Sequence, residues 1–122
     1  CDQKTVVPVD ELIYCIRESL TYLPQYGAVC ALHQEGKGNV RSHDAQAAYD
    51  FFEDCLEAAL PSLGALMVRV ECGERFSIRL MMEEAAGLPN RNKYRSLGQL
   101  IIDDADGALC ATLSLQQGGE RA

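Results

Sequence analysis

Apolar side chains recur at helical spacing from Val9 to Leu23, with Val9, Leu12, Ile13, Ile16, Leu20 and Leu23 on one stripe. Asp10 lies near the start of that run, and Pro24 and Gly27 mark its end, so the pattern predicts a first helix. The stretch 28–32, AVCAL, reads as a short strand, and QEGKGN after it is turn chemistry with two glycines. Ser42, His43 and Asp44 offer capping groups for a second helix whose inward stripe is Ala48, Phe51, Phe52, Cys55, Leu56, Ala59 and Leu63. That helix is expected to break near Pro61 and Gly64. The period then changes from helical to alternating. Leu66, Val68, Val70 and Cys72 alternate with other residues, as do Phe76, Ile78, Leu80 and Met82, and Gly73 with Glu74 makes the turn between them. A second hairpin joins 99–105 to 108–115 across Asp106 and Gly107, a dipeptide that favours type I′ turns. The intervening EEAAGLPNRNKYRSLG has too little apolar periodicity for a buried element and reads as a connection with at most one helical turn. Stripes on two helices and one apolar face on the strands predict an α+β fold: a two-layer sandwich, helices on one face of a mixed or antiparallel sheet.

Composition changes this picture little but removes several functions. The chain has 122 residues, 48% of them hydrophobic and 24% charged, which suits a single domain over 1–122 with its own core. The opening Cys1 suggests a piece excised from a longer protein. A net charge of −7 argues against nucleic acid and anionic lipid as partners, because both call for clustered Lys and Arg. No apolar run is long enough to span a membrane, so no direct membrane contact is expected of this domain. The six cysteines, at 1, 15, 30, 55, 72 and 110, show neither C-x-x-C spacing nor a histidine at ligand distance. Free thiols in a reducing cytoplasm follow from the usual compartment rule, with Cys15, Cys55 and Cys72 in or beside apolar positions as small hydrophobes.

Candidate chemistry is concentrated in three places. FFEDCLEAAL, in the second helix, carries Glu53 and Glu57 four residues apart, about 40° from each other around the helix and turned away from the apolar stripe. EEAAG, residues 83–87, follows the first hairpin, and SLGQLIIDDADGALCATLSL closes the chain's ordered pattern with Gly98 before its first strand. Each has a plain structural reading beside a functional one: acids on a solvated helix face, a strand end turning into a loop, and a terminal hairpin.

Taken together, over roughly residues 8–117, this order of elements resembles the ATP-binding domain of bacterial sensor histidine kinases, of the GHKL ATPase superfamily shared with DNA gyrase. In that family the second helix bears a Glu followed four residues later by Asn. The resemblance places Glu53 at the catalytic position and Glu57 at the Mg²⁺-holding one, with Glu in place of Asn. A carboxylate can ligate Mg²⁺, but its charge near the phosphates weakens nucleotide binding. The family's D-x-G-x-G motif corresponds to EEAAG: Glu83 or Glu84 stands for the acid that accepts from adenine, Ala85 for the first glycine and Gly87 for the second. The family's glycine-rich lid is reduced to residues 88–97, without glycine, and Gly98 matches the glycine beyond it. Within that segment Arg91, Lys93 and Arg95 are either phosphate contacts or solvated loop cations.

The resemblance implies ATP and Mg²⁺ as cofactors and phosphoryl transfer to a histidine on an upstream helix. The implied partners are the rest of a homodimeric parent kinase and a response regulator. The implied location is cytoplasmic, whether or not the parent is membrane-anchored. His33 and His43 are the only histidines, and neither lies on a long dimerising helix, so autophosphorylation by the family's route would need sequence upstream of Cys1. Two alternatives stand beside this one. The first is a nucleotide-free interaction module that relays a signal within a homodimeric sensor, and the second is a non-kinase α+β binding domain.

Overall fold

The computed structural model describes residues 5–60, 62–105 and 107–116. Cys1, Pro61 and Asp106, which the sequence reading used, lie outside them. The described elements run β1 (Val6–Pro8), α1 (Val9–Leu20), a 3₁₀ turn (Leu23–Tyr26), β2 (Val29–Glu35), β3 (Asn39–Arg41), α2 (Ser42–Ala59), β4 (Ala65–Cys72), β5 (Arg75–Glu83), α3 (Arg91–Arg95), β6 (Gln99–Ala105) and β7 (Ala108–Gln116).

Five strands make a mixed sheet in the order β2-β4-β5-β7-β6. β2 pairs with β4 in parallel, from Val29 opposite Ala65 to Glu35 opposite Glu71, and every other neighbouring pair is antiparallel. A parallel pair cannot be closed by a tight turn, and here β3 and α2 make the crossover. Register follows from alternation. Leu66, Val68 and Val70 on β4, Phe76, Ile78, Leu80 and Met82 on β5, and Ala111, Leu113 and Leu115 on β7 are all buried on one face. A slip by one residue would turn that whole set to water. Onto this face pack Val9, Leu12, Ile13, Ile16 and Leu20 of α1 and Ala48, Phe51, Phe52, Cys55 and Ala59 of α2. The other face is open, with Val29, Met67 and Ile101 exposed on it. The α+β two-layer arrangement expected from the sequence is therefore the one observed.

Four local expectations differ. β2 continues through Gln34 and Glu35, where the sequence predicts a turn, because its parallel ladder with β4 extends that far. β1 and β3 were not anticipated; each has only three residues, and they pair with each other in a separate small sheet. The expected side-chain cap on α2 is absent: Arg41 holds the cap position without a side-chain cap bond, and the Ser42 amide instead bonds the Thr5 carbonyl at 2.8 Å. Asp44 is buried one turn inside, 3.7 Å from Arg41 and 3.6 Å from His43. Finally, Cys15 is exposed, whereas Cys55 and Cys72 are buried; position 15 falls beside the α1 stripe, not on it. None of the five described cysteines is in a disulfide.

Candidate functional site

The 3.6-residue period gives α2 several distinct sides. Its apolar stripe faces the sheet. One flank meets α1, where the Tyr49 and Ser19 hydroxyls are hydrogen-bonded at 2.8 Å. The opposite flank carries Phe51, Asp54 and Ala58 and meets the segment between β5 and β6.

Three pieces of chain converge on that second flank. As β5 ends, Gly64 N–H donates to the Glu83 carbonyl at 2.9 Å and the Ser62 hydroxyl donates to the Glu84 carbonyl at 2.6 Å. The Ala86 amide donates to the Ala59 carbonyl at 3.4 Å, so the 83–87 turn is fastened to the C-terminal end of α2. Next, Asn90 accepts from the Asn92 amide and caps the short α3. This helix delivers Tyr94 into the flank. The ring is 0% exposed and stands edge-on to Phe51, with centroids 5.0 Å apart and planes at 72°. Its hydroxyl donates to the Asp54 carboxylate, which also takes Lys93 Nζ at 3.3 Å.

Burial and the adjacent Asp54 carboxylate both oppose a phenolate, and together they hold the Tyr94 hydroxyl well above the usual tyrosine range. Burial, followed by the same carboxylate, pushes the Cys55 thiol up to about 12. Both groups are therefore neutral and inert at ordinary pH.

The residues expected from the sequence are distributed as follows. Glu53 and Glu57 are exposed and, with Leu56 and Leu60, edge a shallow depression of ≈ 290 Å³ on the outward side of α2. The acidic i, i+4 pair on the flank that meets α3 is Asp50 and Asp54, and Ala58, one turn further on, meets the 83–87 turn. Glu83 points to the open face of the sheet, because the inward position at the end of β5 is Met82, which is fully buried. Glu84 leaves the strand with φ 61° and is exposed. Gly87 lies beside the α2 end, where a Cβ would come 3.8 Å from the Ala58 carbonyl. Arg91 and Lys93 are both exposed on α3, with the Lys93 ammonium 5.2 Å from the Tyr94 ring centroid. Gly98 is needed for packing, since a Cβ there would run into the Ser114 backbone carbonyl, and its amide closes α3 on the Tyr94 carbonyl at 3.2 Å.

A magnesium-bound nucleotide needs oxygen donors with free lone pairs and room for phosphates. On this flank the Asp54 carboxylate is already shared by a phenol and an ammonium, Asp50 one turn earlier accepts from Gln46 Nε2 at 3.0 Å, Ala58 offers no donor, and the Tyr94 ring fills the space. Glu53 and Glu57 face elsewhere. In this arrangement the residues do not fit Mg²⁺ and ATP. The sequence reading missed Asp54 and Tyr94. The available signal was local: Tyr94 is the one aromatic residue between Leu88 and Leu97, two residues after an Asn-x-Asn capping pattern.

No protein-family model and no curated protein matches this chain in sequence. Solved structures do match in fold. The nucleotide-free catalytic domain of histidine kinase ThkA superposes with a TM-score of 0.66 at 9% identity, over 95% of this chain and 97% of that one. The histidine kinase domain of the blue-light activated kinase EL346 from Erythrobacter litoralis gives 0.66 at 12% identity, over 99% of this chain and 72% of that one. ThkA in complex with the response regulator protein TrrA gives 0.64 at 10% identity, over 97% of this chain and 43% of that one. The chain has the fold of histidine-kinase catalytic domains.

Proposed function

We propose that, within that fold, this chain is the catalytic-domain-like part of a histidine-kinase-type signalling protein whose nucleotide cleft is closed by its own Tyr94. Such a domain transmits signals through protein contacts with the rest of its parent dimer and donates no phosphoryl group. One observation carries the reading: the helix flank, the strand-end turn and the shortened lid segment meet at one place, and a fully buried tyrosine occupies it. Glu83 and Glu84, which the resemblance matched to the acid that accepts from adenine, are both exposed, and this supports the reading too.

The test is a thermal melt of the chain with increasing Mg-ATP. A live site held at a hundred times its Kd would add about 2.7 kcal/mol of stability. The reading expects no shift at millimolar nucleotide, and a melting temperature that climbs with concentration would overturn it. A second reading keeps the phosphotransferase: Mg-ATP enters after α3 swings away, phosphoryl passes to a histidine upstream, and a response regulator receives it. The short five-residue α3 and the placement of Lys93 beside the flank favour that alternative. It requires the native chain itself to show a melting temperature that climbs with Mg-ATP, the result the first reading excludes.

A further inference from the structure

The flank of α2 that faces α1 bears a surface feature unrelated to the cleft. Two depressions of ≈ 260 and ≈ 340 Å³ adjoin there and share Cys15 and Tyr49. Tyr14 and Tyr22 stand beside them, 61% and 64% exposed, and Leu12 and Ala45 supply apolar floor. The charged residues lining them are Glu11 and Glu18, with Glu53 next to the Tyr49 hydroxyl; among the described residues no Lys or Arg lines either depression. Exposed tyrosines over an apolar floor are the side chains that anchor protein interfaces, because they bury much area at small entropic cost. An acidic border on a chain of net charge −7 selects the sign of the partner. It also disfavours a second copy of this chain, which would bring like charges together.

We propose that this groove between α1 and α2 is a docking site for an amphipathic helix of another protein, with aliphatic residues on one side flanked by Lys and Arg. The aliphatic side seats on Tyr14, Tyr22 and Tyr49. The cations reach Glu11, Glu18 and Glu53, and those that cross a tyrosine face gain a cation–π contact. α1 has 12 residues, so a partner lying along it matches about 18 Å of helix. The groove is on the opposite side of α2 from Tyr94, so the proposal does not rest on the state of the cleft.

The experiment titrates the ¹⁵N-labelled 122-residue chain with a Leu/Lys amphipathic helical peptide of roughly 12–14 residues, and separately with its Leu/Glu counterpart. The expected result is amide shift changes concentrated on the facing sides of α1 and α2 with the basic peptide, and none with the acidic one. Glu18→Lys and Tyr22→Ser should each weaken binding about tenfold, the size of one lost anchor. Glu74→Lys, in the β4–β5 turn, should leave it unchanged. Should Tyr22→Ser prove unstable by circular dichroism, Tyr14→Ser serves in its place. Shift changes spread over the acidic surface, equal losses from Glu74→Lys and Glu18→Lys, or equal binding of the acidic peptide would overturn the proposal. Self-association abolished by Tyr22→Ser would give the groove to a second copy and overturn it as well.

Discussion

Replacing Tyr94 by Phe and by Ala separates the two things this side chain does. Tyr94→Phe keeps the ring and removes the donor to Asp54. Loss of a hydrogen bond to a charged group spans about 1.5–3 kcal/mol, but the Asp54 side chain is 34% exposed and water can replace the phenol. The expected cost therefore lies at the low end, about 1.5 kcal/mol. Tyr94→Ala also removes a buried ring and its edge contact with Phe51, so about 3–5 kcal/mol is expected, of which the aromatic pair accounts for about 0.5–1.5. For a chain of this size each kcal/mol moves the melting temperature by roughly 3–6 °C. Urea titrations of the native chain, both variants, Asp54→Ala and Asp54→Ala with Tyr94→Phe measure these costs and, through the double-mutant cycle, the coupling itself. Alkaline pH supplies an independent readout. In the unfolded chain tyrosine ionises near pH 10, whereas the buried Tyr94 holds its proton to higher pH. Its contribution to stability is thus complete below about pH 10 and drains away as pH rises further. Cys55 acts in the same direction, beginning near 9 and running to about 12. Tyr94→Phe should lose less stability between pH 10 and 11.5 than the native chain does, by roughly the tyrosine share. A Tyr94→Ala cost below about 1 kcal/mol, or identical alkaline slopes for the native chain and Tyr94→Phe, would show that Tyr94 is not seated against α2, and the closed-cleft reading would fail with it.

Two further outcomes follow from burial and backbone geometry. In timed alkylation followed by peptide mapping, exposed Cys15 should react early and Cys55 only on global unfolding; comparable rates for the two would contradict the packing of α2. Gly27 and Gly36 both have positive φ, 86° and 83°, but a Cβ at 27 meets open space whereas one at 36 would strike the Cys72 backbone carbonyl. Gly27→Ala should cost about 1 kcal/mol and Gly36→Ala about 3 or more by urea titration, since the second adds overpacking to the same backbone penalty. Equal costs would mean that the β2–β3 loop does not lie against the end of β4.

The sequence by itself determined the elements whose hydrophobic period is long enough to be unambiguous. Five stripe positions from Val9 to Leu20 specify α1, with Leu23 carried by the 3₁₀ turn after it, the run from Ala48 to Ala59 specifies α2, and strict alternation specifies β4, β5 and β7, because a stripe or a face that must be buried leaves one phase open to each. β1 and β3 carry three residues apiece, too few to express any period, and they exist only because the segments leading into α1 and α2 are brought together. The extension of β2 was hidden for a related reason: polar Gln34 and Glu35 are held by backbone pairing to β4, which is blind to side-chain character. The candidate site depended still more on tertiary structure. Periodicity showed that Glu53 and Glu57 leave the apolar stripe, yet a helix has two flanks and an outward side, and only the docking of α3 and of the 83–87 turn decided which flank is enclosed. That docking selected Asp54 and Ala58, turned Glu83 to the open face behind Met82, and buried Tyr94, a lone aromatic residue in a polar segment whose destination no local pattern could encode.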